Sequence, residues 1–188
     1  NAVKDHYKPL GPFDACPSSK ISKILALIDK LDTLVGFFLI DAGPTSSKDP
    51  YALRRAGIGI IRIIIEGKIN INLAWLINTI SEIYKEKLSL SKNNFDIVKN
   101  KLSHFILERY ENIIRDSNSN RKIVYKSLNI NNNDINILTI DNKCILLNKY
   151  FNTKKGVNFL IAFTWETELT PLLITLFGMF SVLFVNDK

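Results

Sequence analysis

The residues best suited to chemistry are basic and lie between positions 48 and 62 of the sequence. Lys48 precedes a predicted helix, and Arg54, Arg55 and Arg62 lie within that helix. Guanidinium and ammonium groups bind phosphate oxygens through charge-assisted hydrogen bonds, and the free N–H groups at a helix start also favour an anion. Arg55 and Arg62 are seven residues apart and share a helix face. The pattern predicts a phosphate-contacting ridge, and pairing of the arginines with acidic residues of neighbouring helices stays an open alternative.

Two aspartates in the sequence LIDKLDTLVG could take part in a metal site. Asp29 and Asp32 fall on adjacent turns of one helix face, and spaced carboxylates can hold a divalent cation. A phosphohydrolase of the HD type also needs several histidines and a His-Asp dipeptide, whereas His6 and His104 are followed by tyrosine and phenylalanine. We therefore expect no metal site and a salt-bridging or capping role for the aspartates. An HD-type metal-dependent phosphohydrolase remnant is the alternative hypothesis.

The cysteines and serines indicate no nucleophilic catalysis. Cys16 and Cys144 lie far apart in the chain, and neither has a histidine close by in sequence. A Gly-flanked serine elbow and a Gly-rich phosphate loop after a strand are both missing from the sequence. We expect no catalytic residue in this chain. The cysteine pattern indicates neither a disulfide framework nor a zinc site and fits the reducing cytosol, so we predict a cytoplasmic location.

Composition sets broad limits on the partner. The 188 residues have a hydrophobic content of 46%, a formal charge of +7 and a pI near 9.4. The hydrophobic content is sufficient for a core, and the charge favours a polyanionic partner. Much of the excess is lysine scattered among asparagine and isoleucine, so a solvated basic surface is the alternative. The chain begins at Asn1 without a basic region leading into an apolar one, so we expect no signal peptide and a longer parent protein.

Helical periodicity runs through the first third of the chain. Ser18 or Ser19 is predicted to cap a first helix, and Gly36 and the Gly43-Pro44 pair are predicted to break it. The apolar positions expected to face inward on this helix are Ile21, Ile24, Leu25, Ile28, Leu31 and Val35. The Asp49 carboxylate is predicted to cap the backbone N–H groups of a second helix that has Pro50 at its first position, and Gly67 is expected to end this helix. The stripe Ala52, Ala56, Gly59 and Ile63 predicts a small-residue seam that allows close helix packing.

The remaining segments are also predicted to be helical. They are residues 72–88, 95–115, 121–128 and 135–151, with Asn-rich interruptions between them. The pattern of residues 135–151 fits a helix or a strand, and we expect a helix because the neighbouring segments are helical. The apolar segment Leu169–Val185 is shorter than the roughly 20 residues of a membrane span and contains Pro171 and Gly178, so we expect a buried helix there, with a membrane anchor as the alternative. We predict an all-α helical bundle with domains at residues 1–66 and 67–188.

Several longer motifs resemble one known family. The sequences DHYKPLGP and DKLDTLVGFFLIDAGPTSSKDPYALRRAGIGIIRIIIE are similar to the β subunit of the bacterial tetrameric glycyl-tRNA synthetase. The similarity continues more loosely through FILERYENIIRD, IVYKSLN and YFNTKKGVNFLIAF. Ser47 departs from the family's usual glycine-serine turn, Gly57 stands where alanine is usual, and TWETELTPLLITLF replaces a basic segment after Phe163.

The resemblance implies a division of labour between two chains. In that family the α subunit carries the ATP- and glycine-binding catalytic core, with its Mg²⁺, and the β subunit recognises tRNA and supports assembly. It also implies that residues 1–66 are the end of a degenerate HD-type domain and that the rest leads toward an anticodon-binding region. We accordingly predict a glycine–tRNA ligase subunit without cofactors of its own. The residues predicted to bind tRNA are Lys48, Arg54, Arg55 and Arg62.

Overall fold

The computed structural model describes residues 2–11, 13–45, 48–88, 92–117, 125–126, 128, 130–131 and 134–158, without the side chains of 85–88, 92–94 and 115–117. Within these residues the regular elements are all helices, which confirms the predicted all-α class. They are α1 (Ala2–Asp5), α2 (Lys20–Leu39), α3 (Leu53–Gly67), α4 (Leu73–Leu88), α5 (Lys92–Ser117) and α6 (Ile137–Phe151). No helix of this described part is long and apolar enough to cross a membrane.

The chain divides into two compact units. The first consists of Asn1–Tyr110 and Asn132–Leu138, and the second of Glu111–Asn131 and Thr139–Lys188. The predicted domain boundary after Glu66 stays a prediction, as do the HD-type and anticodon-binding assignments. The apolar segment Leu169–Val185 and most of the predicted helix at 121–128 lie outside the described residues.

Helix α2 is the centre of the first unit and packs against α1, α3 and α4. Its start is confirmed at Ser19, whose hydroxyl accepts a hydrogen bond of 3.0 Å from the Ser22 N–H. The predicted break at Gly36 is wrong, because the helix continues to Leu39. The Tyr84 hydroxyl of α4 lies 3.6 Å from where a Cβ on Gly36 would be. Packing of this kind outweighs the roughly 0.5–1 kcal/mol that a glycine costs inside a helix.

In the first half of α2, the buried residues are not the ones that the sequence predicted to face inward. Leu31 and Val35 are fully buried as expected. Ile21, Ile24, Leu25 and Ile28 were predicted inward and are 72%, 44%, 39% and 43% exposed. The buried side chains in this half are instead Ser22, Ala26, Leu27 and Lys30. The Lys30 stem lies against Gly59 of α3, and a count of apolar residues overlooks this contact because lysine is charged at its end but apolar along its stem.

Helix α3 begins three residues later than predicted. Pro50 lies in a turn in which the Ala52 N–H donates to the Asp49 carbonyl oxygen at 3.2 Å. Ala52 adopts a left-handed conformation with φ 56°, and Leu53 is the first helical residue. The predicted end at Gly67 is confirmed, and Lys68 follows with φ 51°. The seam prediction is confirmed at Gly59 and Ile63, which are buried, whereas Ala52 and Ala56 are only half-buried.

The helices α4 and α5 confirm the helical predictions for residues 72–88 and 95–115, with α5 extending beyond the predicted segment at both ends. The connection between α3 and α4 is held by the Asn-rich segment before α6. The Leu73 N–H donates to the Ile135 carbonyl oxygen at 2.7 Å, and the Asn72 amide donates to Asp134 at 2.9 Å. These bonds explain why residues 132–138 belong to the first unit.

The second unit has its own buried residues. The helical prediction for residues 135–151 is confirmed by α6, and Ile140, Asp141 and Cys144 on it are buried. Tyr125 is buried as well, and burial, followed by the charge of Glu111, raises its pKa to about 12.

Candidate nucleic-acid interface

The start of α3 is capped by a side chain of the same chain. The two carboxylate oxygens of Asp49 accept hydrogen bonds from the Leu53 N–H at 2.8 Å and the Arg54 N–H at 3.0 Å. Sequence reasoning identified this capping role correctly but also expected these N–H groups to favour an external anion. Because an internal carboxylate already occupies them, they are not available to a phosphate. Any phosphate contact here has to come from side chains.

Arg54 stabilises the turn that precedes α3. Its guanidinium donates to the Thr45 carbonyl oxygen and lies 4.0 Å from the Asp49 carboxylate. The side chain is 32% exposed. Arg54 therefore has both a structural role within the turn and a partly accessible guanidinium edge.

Arg62 is committed to internal contacts. Its Nε donates to Glu66 at 2.7 Å, and its Nη1 donates to the Gly11 carbonyl oxygen at 3.1 Å. The side chain is 19% exposed. The alternative that arginines pair with acidic residues thus describes Arg62 well, although Glu66 lies on the same helix. Its second partner is the backbone of the segment before α2.

Arg55 and Lys48 have the opposite character. Both are exposed, and within the described part of the chain neither side chain has a hydrogen bond or an ion pair. A free guanidinium and a free ammonium are the groups that can neutralise phosphates without first breaking an internal bond. Of the four predicted residues, these two are exposed and have no internal bond in the described part of the chain, whereas Arg54 offers only a partly accessible edge.

Lys30 is a cation that sequence reasoning did not single out. It is 8% exposed and donates to the Tyr7 carbonyl oxygen at 2.9 Å. Burial lowers the pKa of its ammonium. The signal that could have identified it is a single lysine on the apolar side of a helix whose partner helix carries a glycine. With Arg62 it forms a pair of cations that hold the backbone of residues 7–11.

In the described residues, Asp32 and the Cys16 thiol both have partners within the fold. Asp32 accepts a hydrogen bond from the Tyr84 hydroxyl at 3.0 Å, and burial followed by this bond raises the pKa of Tyr84. No cluster of three or more histidine, cysteine, aspartate or glutamate residues in the described part could hold a metal ion.

Burial, followed by a hydrogen bond to Glu66, raises the pKa of the Cys16 thiol to about 11. A thiol of that pKa is a poor nucleophile near neutral pH.

Comparison with known proteins decides the family. Residues 1–129 match the family model described as glycyl-tRNA synthetase beta subunit. The chain belongs to this family. The matched residues cover more than half of the chain and include α2, α3 and all of the basic residues discussed above. The resemblance that the motifs indicated is thereby confirmed.

Two curated relatives agree with the family match. A glycine–tRNA ligase beta subunit from Paracoccus denitrificans is 37% identical over 160 residues, which cover 85% of this chain and 21% of the relative. One from Dinoroseobacter shibae is 35% identical over 183 residues, which cover 86% of this chain and 25% of the relative. The chain thus spans between a fifth and a quarter of the length of these relatives.

Proposed function

We propose that this chain is the tRNA-binding, assembly-supporting part of a glycine–tRNA ligase β subunit. It acts with a catalytic α subunit in ATP-dependent formation of glycyl-tRNA in the cytoplasm. Family membership over residues 1–129 is the observation that carries this proposal. In this view the ATP, the Mg²⁺ and the reacting groups belong to the α subunit, and this chain contributes tRNA contacts. The exposed cations Lys48 and Arg55 support the part of the proposal that concerns tRNA.

The proposed tRNA contacts are electrostatic. Arg55 and Lys48 are exposed and free of internal partners in the described residues, so they can approach phosphates directly. Phosphate contacts of this kind position an RNA without reading its sequence, and they release counterions. Arg54 adds a partly exposed guanidinium edge, whereas the role of Arg62 is to hold the fold.

Co-purification tests the proposal. The full chain is expressed with a tagged glycyl-tRNA synthetase α subunit, and the purified material is assayed for the chain, for bound tRNA and for glycylation of tRNA. We expect the chain to co-elute with the α subunit and to raise tRNA binding above that of the α subunit alone. A chain that is folded by circular dichroism yet binds neither the α subunit nor tRNA contradicts the proposal.

A further inference from the structure

A short segment before α2 exposes large side chains although its backbone is firmly held. We call residues 7–11 and 13–15 the anchored loop. Tyr7 is 61% exposed, Leu10 is 66% exposed and Phe13 is 99% exposed. Exposure of large apolar groups is costly in water, and clusters of them typically mark binding surfaces.

The backbone of the anchored loop is held by hydrogen bonds to charged side chains, one of which, Asp14, belongs to the loop itself. Lys30 donates to the Tyr7 carbonyl oxygen at 2.9 Å, and Arg62 donates to the Gly11 carbonyl oxygen at 3.1 Å. The Asp14 carboxylate accepts from the Leu10 N–H at 2.8 Å and the Ala15 N–H at 2.9 Å. Pro9 lies against α3, since its ring is 3.6 Å from where a Cβ on Gly59 would be. A loop held at this many points presents its side chains in a defined arrangement, which lowers the entropy cost of binding.

The exposed side chains favour an RNA ligand over an apolar one. Two of the three are aromatic, and the His6 ring lies 3.8 Å from the Tyr7 ring between centroids. Lys4, three residues before Tyr7 in the sequence, is exposed, and Lys8 is 41% exposed while paired with Asp5 at 3.1 Å. Aromatic rings next to cations are the combination that binds unpaired nucleotides, because bases stack on the rings and the cations neutralise the backbone.

We propose that the anchored loop binds unpaired nucleotides of RNA by stacking their bases on Tyr7 and Phe13. Arg62 is then a positioning residue, which acts on the RNA through the Gly11 backbone rather than through a phosphate. The inference rests on the proposed tRNA-binding function and adds a second, base-stacking surface to the cations Lys48 and Arg55. The Arg62 side chain is only 19% exposed and is poorly placed to contact a phosphate itself. In this inference it contributes to tRNA binding by holding the Gly11 backbone in position.

Binding of two RNA probes to the full chain tests this inference. One probe is a labelled single-stranded oligoadenylate, and the other is an RNA duplex of the same length. Loss of one stacked base costs about 5-fold or more in affinity, so we expect Tyr7→Ala and Phe13→Ala each to weaken single-strand binding by at least that factor. Duplex binding is expected to stay at the wild-type level. Phe13→Trp is expected to retain single-strand affinity, with its indole fluorescence quenched on binding.

Leu10→Ala is the matched control, because it removes an equally exposed side chain of the same loop that has no aromatic ring. We expect its single-strand affinity to stay within about twofold of the wild type. Arg62→Ala is expected to lose single-strand affinity selectively, and Arg62→Lys to restore part of it. Selectivity for the single strand separates a positioning role from general destabilisation, which would lower the binding of both probes.

Wild-type single-strand affinity in both Tyr7→Ala and Phe13→Ala overturns the inference, and so does an equal loss on the duplex. If these variants keep RNA affinity but lose co-elution with the α subunit, the loop is a protein-docking surface and the RNA inference is overturned. Should Arg55→Ala weaken tRNA binding while the loop variants do not, the inference fails and the proposed function stands. A wild-type chain that binds no tRNA contradicts both.

Discussion

At the scale of single residues, the contact between Gly59 and Lys30 links the two central helices. A Cβ on Gly59 would lie 2.9 Å from Lys30 Cε, closer than such atoms approach. The Lys30 stem cannot easily move away, since its ammonium is buried and bonded to the Tyr7 carbonyl oxygen. The glycine is therefore needed for space, and the lysine fills the groove that the glycine leaves.

We predict that Gly59→Ala destabilises the chain by about 1–3 kcal/mol, the usual cost of overpacking. Gly57→Ala is the control, because a Cβ there would lie 3.2 Å from Phe105 Cε1, a contact that a small ring shift can relieve. The helix propensity gained from alanine, about 0.5–1 kcal/mol, then offsets the tighter contact. Urea unfolding of both variants measures the difference. Equal midpoints for the two would contradict the assigned role of Gly59.

The Cys16 thiol predicts a loss of stability at alkaline pH. Burial raises its folded pKa from 9.0 to about 11, so the unfolded chain releases this proton first. The contribution of the thiol to the free energy of unfolding is complete below pH 9.0 and falls as the pH rises toward about 11. In Cys16→Ser the side chain does not ionise, and we expect a shallower decline over this window. Unfolding midpoints measured across the same pH range check this, and parallel curves would refute it.

At the scale of the helices, α2 shows which features a sequence pattern can predict. The Ser19 cap and the helical period follow from local chemistry and were predicted correctly. The orientation of its first half was not, because the buried side chains there are Ser22, Ala26 and Lys30 rather than the isoleucines, and Lys30 lies against Gly59 of α3. The hydrophobicity of the side chains alone does not show which line of residues along a helix lets another helix pack most closely.

The difference between the predicted and the observed buried face of α2 can be tested with two substitutions. Leu31 is fully buried, so Leu31→Ala is expected to cost about 2–5 kcal/mol. Ile24 is 44% exposed, and Ile24→Ala is expected to cost less than about 1 kcal/mol. Chemical denaturation of the two variants gives both values. If Ile24→Ala costs as much as Leu31→Ala, the isoleucine row faces a core after all.

In the candidate site, too, contacts within one helical turn could be predicted from the sequence, whereas contacts between distant segments could not. Asp49 was predicted as a cap because its effect acts within one turn, and its two bonds to the α3 backbone confirm this. The partner of Arg62 on Gly11 lies 51 residues away, and no spacing rule predicts such a contact. Lys30 was missed for the same reason, since its partner is the Tyr7 backbone.

At the scale of the whole molecule, the cations fall into a group that holds the fold and a group that is exposed to an external polyanion. Arg62 and Lys30 belong to the first group by their burial and their internal bonds, and Lys48 and Arg55 to the second by their exposure. A net charge of +7 does not make this distinction, because it counts both groups alike. Family membership identifies tRNA as the polyanion to test.

The salt dependence of tRNA affinity tests whether Lys48 and Arg55 contact phosphates. The affinity of the full chain for tRNA is measured over a series of salt concentrations for the wild type and for a Lys48→Ala, Arg55→Ala double variant. Each lost phosphate contact lowers the slope of log affinity against log salt by about 1, so we predict a slope about 2 units shallower and weaker binding. A double variant that is folded like the wild type, with the same slope and the same affinity, would contradict the account.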